Sequence, residues 1–180
     1  AAEAVLATDP EDPLARFVLV VKMMSARQNA ADRRAVAAAC TRILDRAPDD
    51  LLALKHRGLN LAEIGDESGA EDMKRACQLD PEDSGTWQLG GYVNLRLGRY
   101  RDAEECLDRS LALEPDVEEA VKQRGFARLQ LGKAAEARAD FERSWVLPTR
   151  AGSVDQEVLG VLVKFAERDG DTKAPVRLVT

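Results

Sequence analysis

One histidine, His56, stands in the 180-residue chain, inside the stretch "LKHRGLN". A general base works through a proton donor held within hydrogen-bond reach. No Ser, Cys or Lys accompanies His56 at a spacing that would supply one, so it reads as a partly exposed structural residue on a helix. The three cysteines, Cys40, Cys77 and Cys106, form no CxxC pair, and their odd number resists a closed disulfide set. Each sits among apolar neighbours in a helical stretch and reads as a small free thiol of a reduced compartment, with no metal or cofactor role. Carboxylates are plentiful, but they fall in runs such as "RDAEE" and "DPED", often with Arg or Lys three or four residues away. That is the pattern of solvated helix faces and helix stops. No EF-hand loop or P-loop occurs, and no strand is predicted that a GxGxxG could follow. The expectation is a protein that is not an enzyme.

The bulk numbers narrow the partners. A formal net charge of −6 and a pI near 5.0 provide no basic footprint for nucleic acid. The apolar runs "FVLVV" at 17–21 and "VLGVLV" at 158–163 are far shorter than the ~20 residues a bilayer requires, so no membrane partner is expected. With 45% hydrophobic, 32% charged and only 4% aromatic residues, the chain has the balance of a soluble helical protein, and a cytoplasmic location is expected.

Whatever these residues do must be positioned by a repeat. Gly58, Gly91 and Gly125 are spaced 33 and 34 apart, as are Gly65, Gly98 and Gly132, and Ala70, Ala103 and Ala137. Pro48, Pro81, Pro115 and Pro148 follow the same period. Each unit divides into two amphipathic helices. In residues 84–117 the first begins at a Ser84 or Asp83 cap and ends at Gly98, which can take the left-handed conformation that closes a helix. The second places Tyr100, Ala103, Leu107, Leu111 and Leu113 near one face, and Pro115 stops it. Asp116 with Glu119 looks like the cap of the next helix. Gly91 and Ala103 have a different task, since residues this small let two antiparallel helices approach closely.

The set Trp87, Gly91, Gly98, Tyr100, Ala103, Leu107 and Pro115 resembles the signature of the tetratricopeptide repeat (TPR), a 34-residue helix–turn–helix unit. Residues 51–83 and 118–151 match through their glycines, alanine and proline, but hold Leu54 and Val121 at the Trp position. Residues 13–50 read as a degenerate TPR that keeps Phe17, Val20, Val21 and Met24 and a second helix from Asp32 to about Arg46. Residues 1–12 read as the remnant of a preceding repeat helix. Residues 152–170 read as a capping helix opened by a Ser153/Gln156 box, and residues 171–180 as a loose tail. The resemblance implies an all-α fold, a right-handed α-α superhelix (TPR solenoid) of antiparallel helix pairs with a concave groove lined by the first helix of each pair.

The register then assigns groove positions. They are Ala15, Val18 and Lys22; Leu52, Lys55, Leu59 and Glu63; Gly85, Gln88, Tyr92, Leu95 and Arg96; and Glu119, Lys122, Phe126, Leu129 and Gln130. Leu59, Tyr92 and Phe126 are equivalent and are expected to form an apolar spine, with Lys55, Arg96 and Lys122 along its edge and Gln88 and Gln130 beside it. The expected role is a protein–protein interaction module, a scaffold or adaptor whose groove takes a peptide or partner helix with apolar anchors and some acidic residues. The alternative is a structural spacer, with end-to-end self-association through an incomplete terminal repeat. The family's clamp for the carboxylate tails of heat-shock chaperones is not expected. Lys55 and Lys122 resemble its lysines, but Leu59, Tyr92 and Phe126 stand where its Asn and Arg side chains belong.

Overall fold

The computed structural model describes residues 29–147 and 155–170. The positions assigned to residues 1–28, to Pro148 and Ser153, and to the 171–180 tail lie outside them. Eight helices run through the described residues: α1 (Ala30–Leu44), α2 (Leu51–Glu63), α3 (Ser68–Leu79), α4 (Ser84–Arg96), α5 (Tyr100–Leu113), α6 (Glu118–Gln130), α7 (Ala134–Val146) and α8 (Gln156–Arg168). None of these is long and apolar enough to cross a membrane.

Their ends follow from local chemistry. Asp50, Asp83 and Asp155 cap α2, α4 and α8 by accepting backbone N–H groups of the first turn, as Asn29 does for α1. Two expectations shift here. Helix α6 is preceded by Val117, which offers no side-chain cap, rather than by Asp116. Helix α1 starts at Ala30 rather than Asp32 because Asn29 caps it. Within the pairs α2/α3, α4/α5 and α6/α7, the turn glycines Gly65, Gly98 and Gly132 take φ of 78°, 73° and 77°, the left-handed region that costs glycine nothing.

The paired helices meet at Gly58, Gly91 and Gly125. A Cβ at Gly91 would lie 2.4 Å from Leu107 Cγ, and one at Gly125 would lie 2.9 Å from Phe141 Cε1. In the first pair the opposing small residue is Gly69, not Ala70, since a Cβ at Gly69 would come within 2.5 Å of the Gly58 carbonyl oxygen. The step from Gly58 to Gly69 is therefore one residue shorter than those from Gly91 to Ala103 and from Gly125 to Ala137. Helix α3 opens on tight turns, Gly69 N–H to Asp66 O and Ala70 N–H to Glu67 O, where α5 opens on Ala103 N–H to Arg99 O. From Gly69 onward the second helices keep a constant offset of 34.

Successive first helices pack directly on one another, α2 on α4 and α4 on α6, while successive second helices stand further apart. A stack that is tight along one edge and open along the other must curve, with α2, α4 and α6 on the inside. Helix α8 packs against α7, after the third pair. Its Val158, Leu162 and Phe165 are buried with Ala137 and Phe141, so the last pair does not expose its apolar flank.

Candidate binding groove

The inner wall is built by α2, α4 and α6, and the spine residues occupy it as half-buried side chains. Leu59, Tyr92 and Phe126 are neither sealed in the core nor free of it. They do different work at equivalent positions. The Tyr92 hydroxyl donates to the Glu63 carboxylate on the preceding first helix, and burial together with that carboxylate pushes the phenol up to about 12. The Phe126 ring packs edge-on against Phe141, with centroids 4.9 Å apart at 71°. Leu52 is the most open apolar side chain of the column, 45% exposed.

The cations expected to line the edge are paired inside the molecule. Lys55 Nζ donates to Asp83 Oδ2 at 3.0 Å. Lys122 Nζ donates to Asp155 Oδ2 at 3.1 Å and lies 2.6 Å from Glu119 Oε2. Burial works against the Lys122 ammonium, but the two carboxylates outweigh it and its pKa rises. Arg96 and Arg33 each reach Glu63 at 3.2 Å, so this carboxylate, with its side chain only 11% exposed, gathers two guanidinium groups and a phenol. Gln88 is half-buried and Gln130 exposed.

A rule is visible in these pairs. A lysine on one first helix grips the aspartate that caps the next: Lys55 with Asp83 of α4, Lys122 with Asp155 of α8. The register makes Gln88 the middle member, and the helix after it is preceded by the non-capping Val117. Lysine and aspartate are replaced together. The aspartate is doubly used, because Thr86 and Lys55 both donate to Asp83 and hold its carboxyl down at about 2 from an ordinary 3.8.

A group whose folded pKa lies below its unfolded value contributes stability above the unfolded pKa, and that contribution fades as pH falls toward the folded one. Asp83→Ala is accordingly expected to cost about 1 kcal/mol of cap and bridge at neutral pH. The gap to wild type should close between about pH 4 and pH 2 in urea titrations. A gap independent of pH would separate the cap from the charge.

His56 is half-buried on α2, and burial, then the Lys55 charge, lowers its pKa. All three cysteines are free, and burial pushes Cys40 and Cys77 up to about 12 and Cys106 to about 11.

No protein-family model matches the sequence, and no curated protein matches it. Solved structures do. MamA residues 41–end from Desulfovibrio magneticus RS-1 superposes with a TM-score of 0.72 at 16% identity, over 91% of this chain and 90% of that one. PilF of Pseudomonas aeruginosa gives 0.73 at 15% identity, over 89% and 71%. The first TPR of Spaghetti (RPAP3), bound to the HSP90 peptide SRMEEVD, gives 0.59 at 24% identity, over 67% and 93%. With helix pairs stacked as in these proteins, the chain has the TPR fold, an all-α, right-handed α-α superhelix.

Proposed function

We propose that the chain is a non-catalytic protein-interaction module whose inner wall receives a peptide or partner helix through apolar anchors. The observation that carries this reading is the half-open apolar column of Leu52, Leu59, Tyr92 and Phe126, set among cations that already have carboxylate partners. The superposed RPAP3 repeat holds a peptide, which supports a groove role for this fold. The chaperone-tail clamp is not carried over, because Lys55 and Lys122 are engaged by Asp83 and Asp155. Acidic residues in the ligand therefore gain little, and apolar contacts set affinity.

Panning a random peptide library against the wild-type protein tests this. Selected peptides are expected to bind at least about 10-fold more weakly to Leu52→Ser, the loss expected when one exposed leucine contact of ~1.5 kcal/mol disappears. Tyr92→Ala should weaken them similarly, while Phe126→Ala also opens the Phe141 cluster and is the poorer probe. Affinity should change less than about threefold between about 0.05 and 0.5 M salt. Peptides that ignore both Leu52→Ser and Tyr92→Ala, or that are lost steeply with salt, would refute the reading.

The spacer alternative has its own support. Lys55–Asp83, Lys122–Asp155 and Tyr92–Glu63 all join one first helix to the next, which is what a stacking role needs. Under it, panning returns no groove-dependent peptide, and the mass seen by light scattering climbs with concentration.

A further inference from the structure

In two of the three pairs an arginine ties consecutive second helices together. Arg57 of α2 donates to both Asp72 oxygens on α3 at 2.7 Å and to Thr41 of α1 at 3.2 Å. Arg124 of α6 repeats this, donating to Asp140 of α7 at 3.0 and 2.7 Å and to Asp108 of α5 at 2.7 Å. In the register that Gly69 sets, the middle pair carries Gly90, Cys106 and Lys74 in these three places. Every member of the tie is replaced at once. A cavity of about 780 Å³ lies there between α3 and α5, lined by Met73, Lys74, Cys77, Gly90, Asn94 and Cys106 among others.

Two thiols converge on that cavity. The point that a Cβ at Gly90 would occupy is 3.3 Å from Cys77 Sγ and 3.5 Å from Cys106 Sγ, so both sulfurs face the one backbone position that has no side chain. Their protein contacts are long. Cys77 Sγ reaches the Thr86 carbonyl at 3.7 Å, and Asn94 Nδ2 donates to Cys106 Sγ at 3.8 Å, a supporting contact that orients the second thiol. Among the described residues no three His, Cys, Asp or Glu side chains gather as a zinc or calcium site would require. Two thiols form instead a soft donor pair, the kind that selects monovalent copper.

We propose that Cys77 and Cys106 form a two-thiolate site for a soft monovalent cation of the Cu(I) class. Binding forms two metal–sulfur bonds and releases both thiol protons to solvent, without electron transfer. The resulting site carries a net charge of minus one; Lys74, Arg99 and Arg109 line the cavity with Glu71, Asp102, Glu105 and Asp108, while Lys55 and Asp83 act on Cys77 and Asp102 and Glu105 on Cys106. The ion would join α3 to α5 at the place where Arg57 and Arg124 tie the other couples; Arg99, just before α5, pairs only with Glu67 and Glu71 at the start of α3. Because both thiols are protonated in the free protein, affinity rises with pH.

Anaerobic titration of the whole chain with Cu(I) against a chromophoric chelator tests this. Wild type is expected to withdraw one equivalent. Cys77→Ser and Cys106→Ser should each lose more than the about 10–100-fold that removing a supporting group costs, while Cys40→Ser is unchanged. X-ray absorption on the wild-type complex should show sulfur alone around the ion, a readout that depends on no variant. Nitrogen or oxygen donors in that spectrum would overturn the site, as would a wild type that competes no better than the Cys77/Cys106 double variant.

Discussion

Asp140→Ala should be the most damaging single change in the described fold, lowering the unfolding free energy by about 3–5 kcal/mol in urea titrations. The Asp140 side chain is only 5% exposed and accepts from Arg124 at 3.0 and 2.7 Å and from Arg128 at 2.7 Å. Removing it leaves two guanidinium groups facing each other. Arg124 still holds Asp108, and Arg128 still holds Glu104 at 2.9 Å, but neither partner is as buried as the one lost. The size of the effect comes from uncompensated charge rather than from the worth of the pair, so a second change should recover part of it. Asp140→Leu combined with Arg124→Met is expected to be more stable than Asp140→Ala alone. Asp72→Ala, which strands only Arg57, should cost less. Equal losses at Asp72 and Asp140 would count against the network.

Gly69→Ala follows, with an expected loss of about 3 kcal/mol, the upper end of ordinary overpacking. Its Cβ would stand 2.5 Å from the Gly58 oxygen and 3.0 Å from the Ala62 nitrogen, both backbone atoms of α2. Backbone cannot rotate aside, so the α2/α3 pair must separate. Gly160→Ala is the control of opposite sign. It lies inside α8, is exposed, and an added Cβ meets nothing within 4 Å, so the helix should gain about 0.5–1 kcal/mol. Ala70→Gly should not mimic Gly69→Ala. If it did, the small-residue contact would belong to position 70, and the one-residue slip would be wrong.

That slip marks the limit of what periodicity reveals. Glycine and proline intervals were enough for the helix pairs, because φ near 75° and an interrupted N–H pattern are demands that few residues meet. They could not separate Gly69 from Ala70, since both are small and the deletion falls in a link that the repeat tolerates. Charge was read less well. Lys55, Arg96 and Lys122 look alike as groove cations in sequence, and only stacking discloses that a capping aspartate or Glu63 from another helix already holds each one. Glu63 itself sits in the groove register without any sign that three donors converge on it. A comparison by columns would have shown more. Arg57, Gly90 and Arg124 share one position, and the lone glycine is visible before any coordinates. What it permits, two sulfurs 29 residues apart in sequence facing one backbone position, needs the third dimension.

Amide chemical-shift mapping with the tightest panned peptide tests the placement of the interaction face most directly. The largest perturbations are predicted on α2, α4 and α6, at Leu59, Tyr92, Phe126 and their neighbours. Shifts centred on α3, α5 and α7, with the first helices silent, would contradict the account.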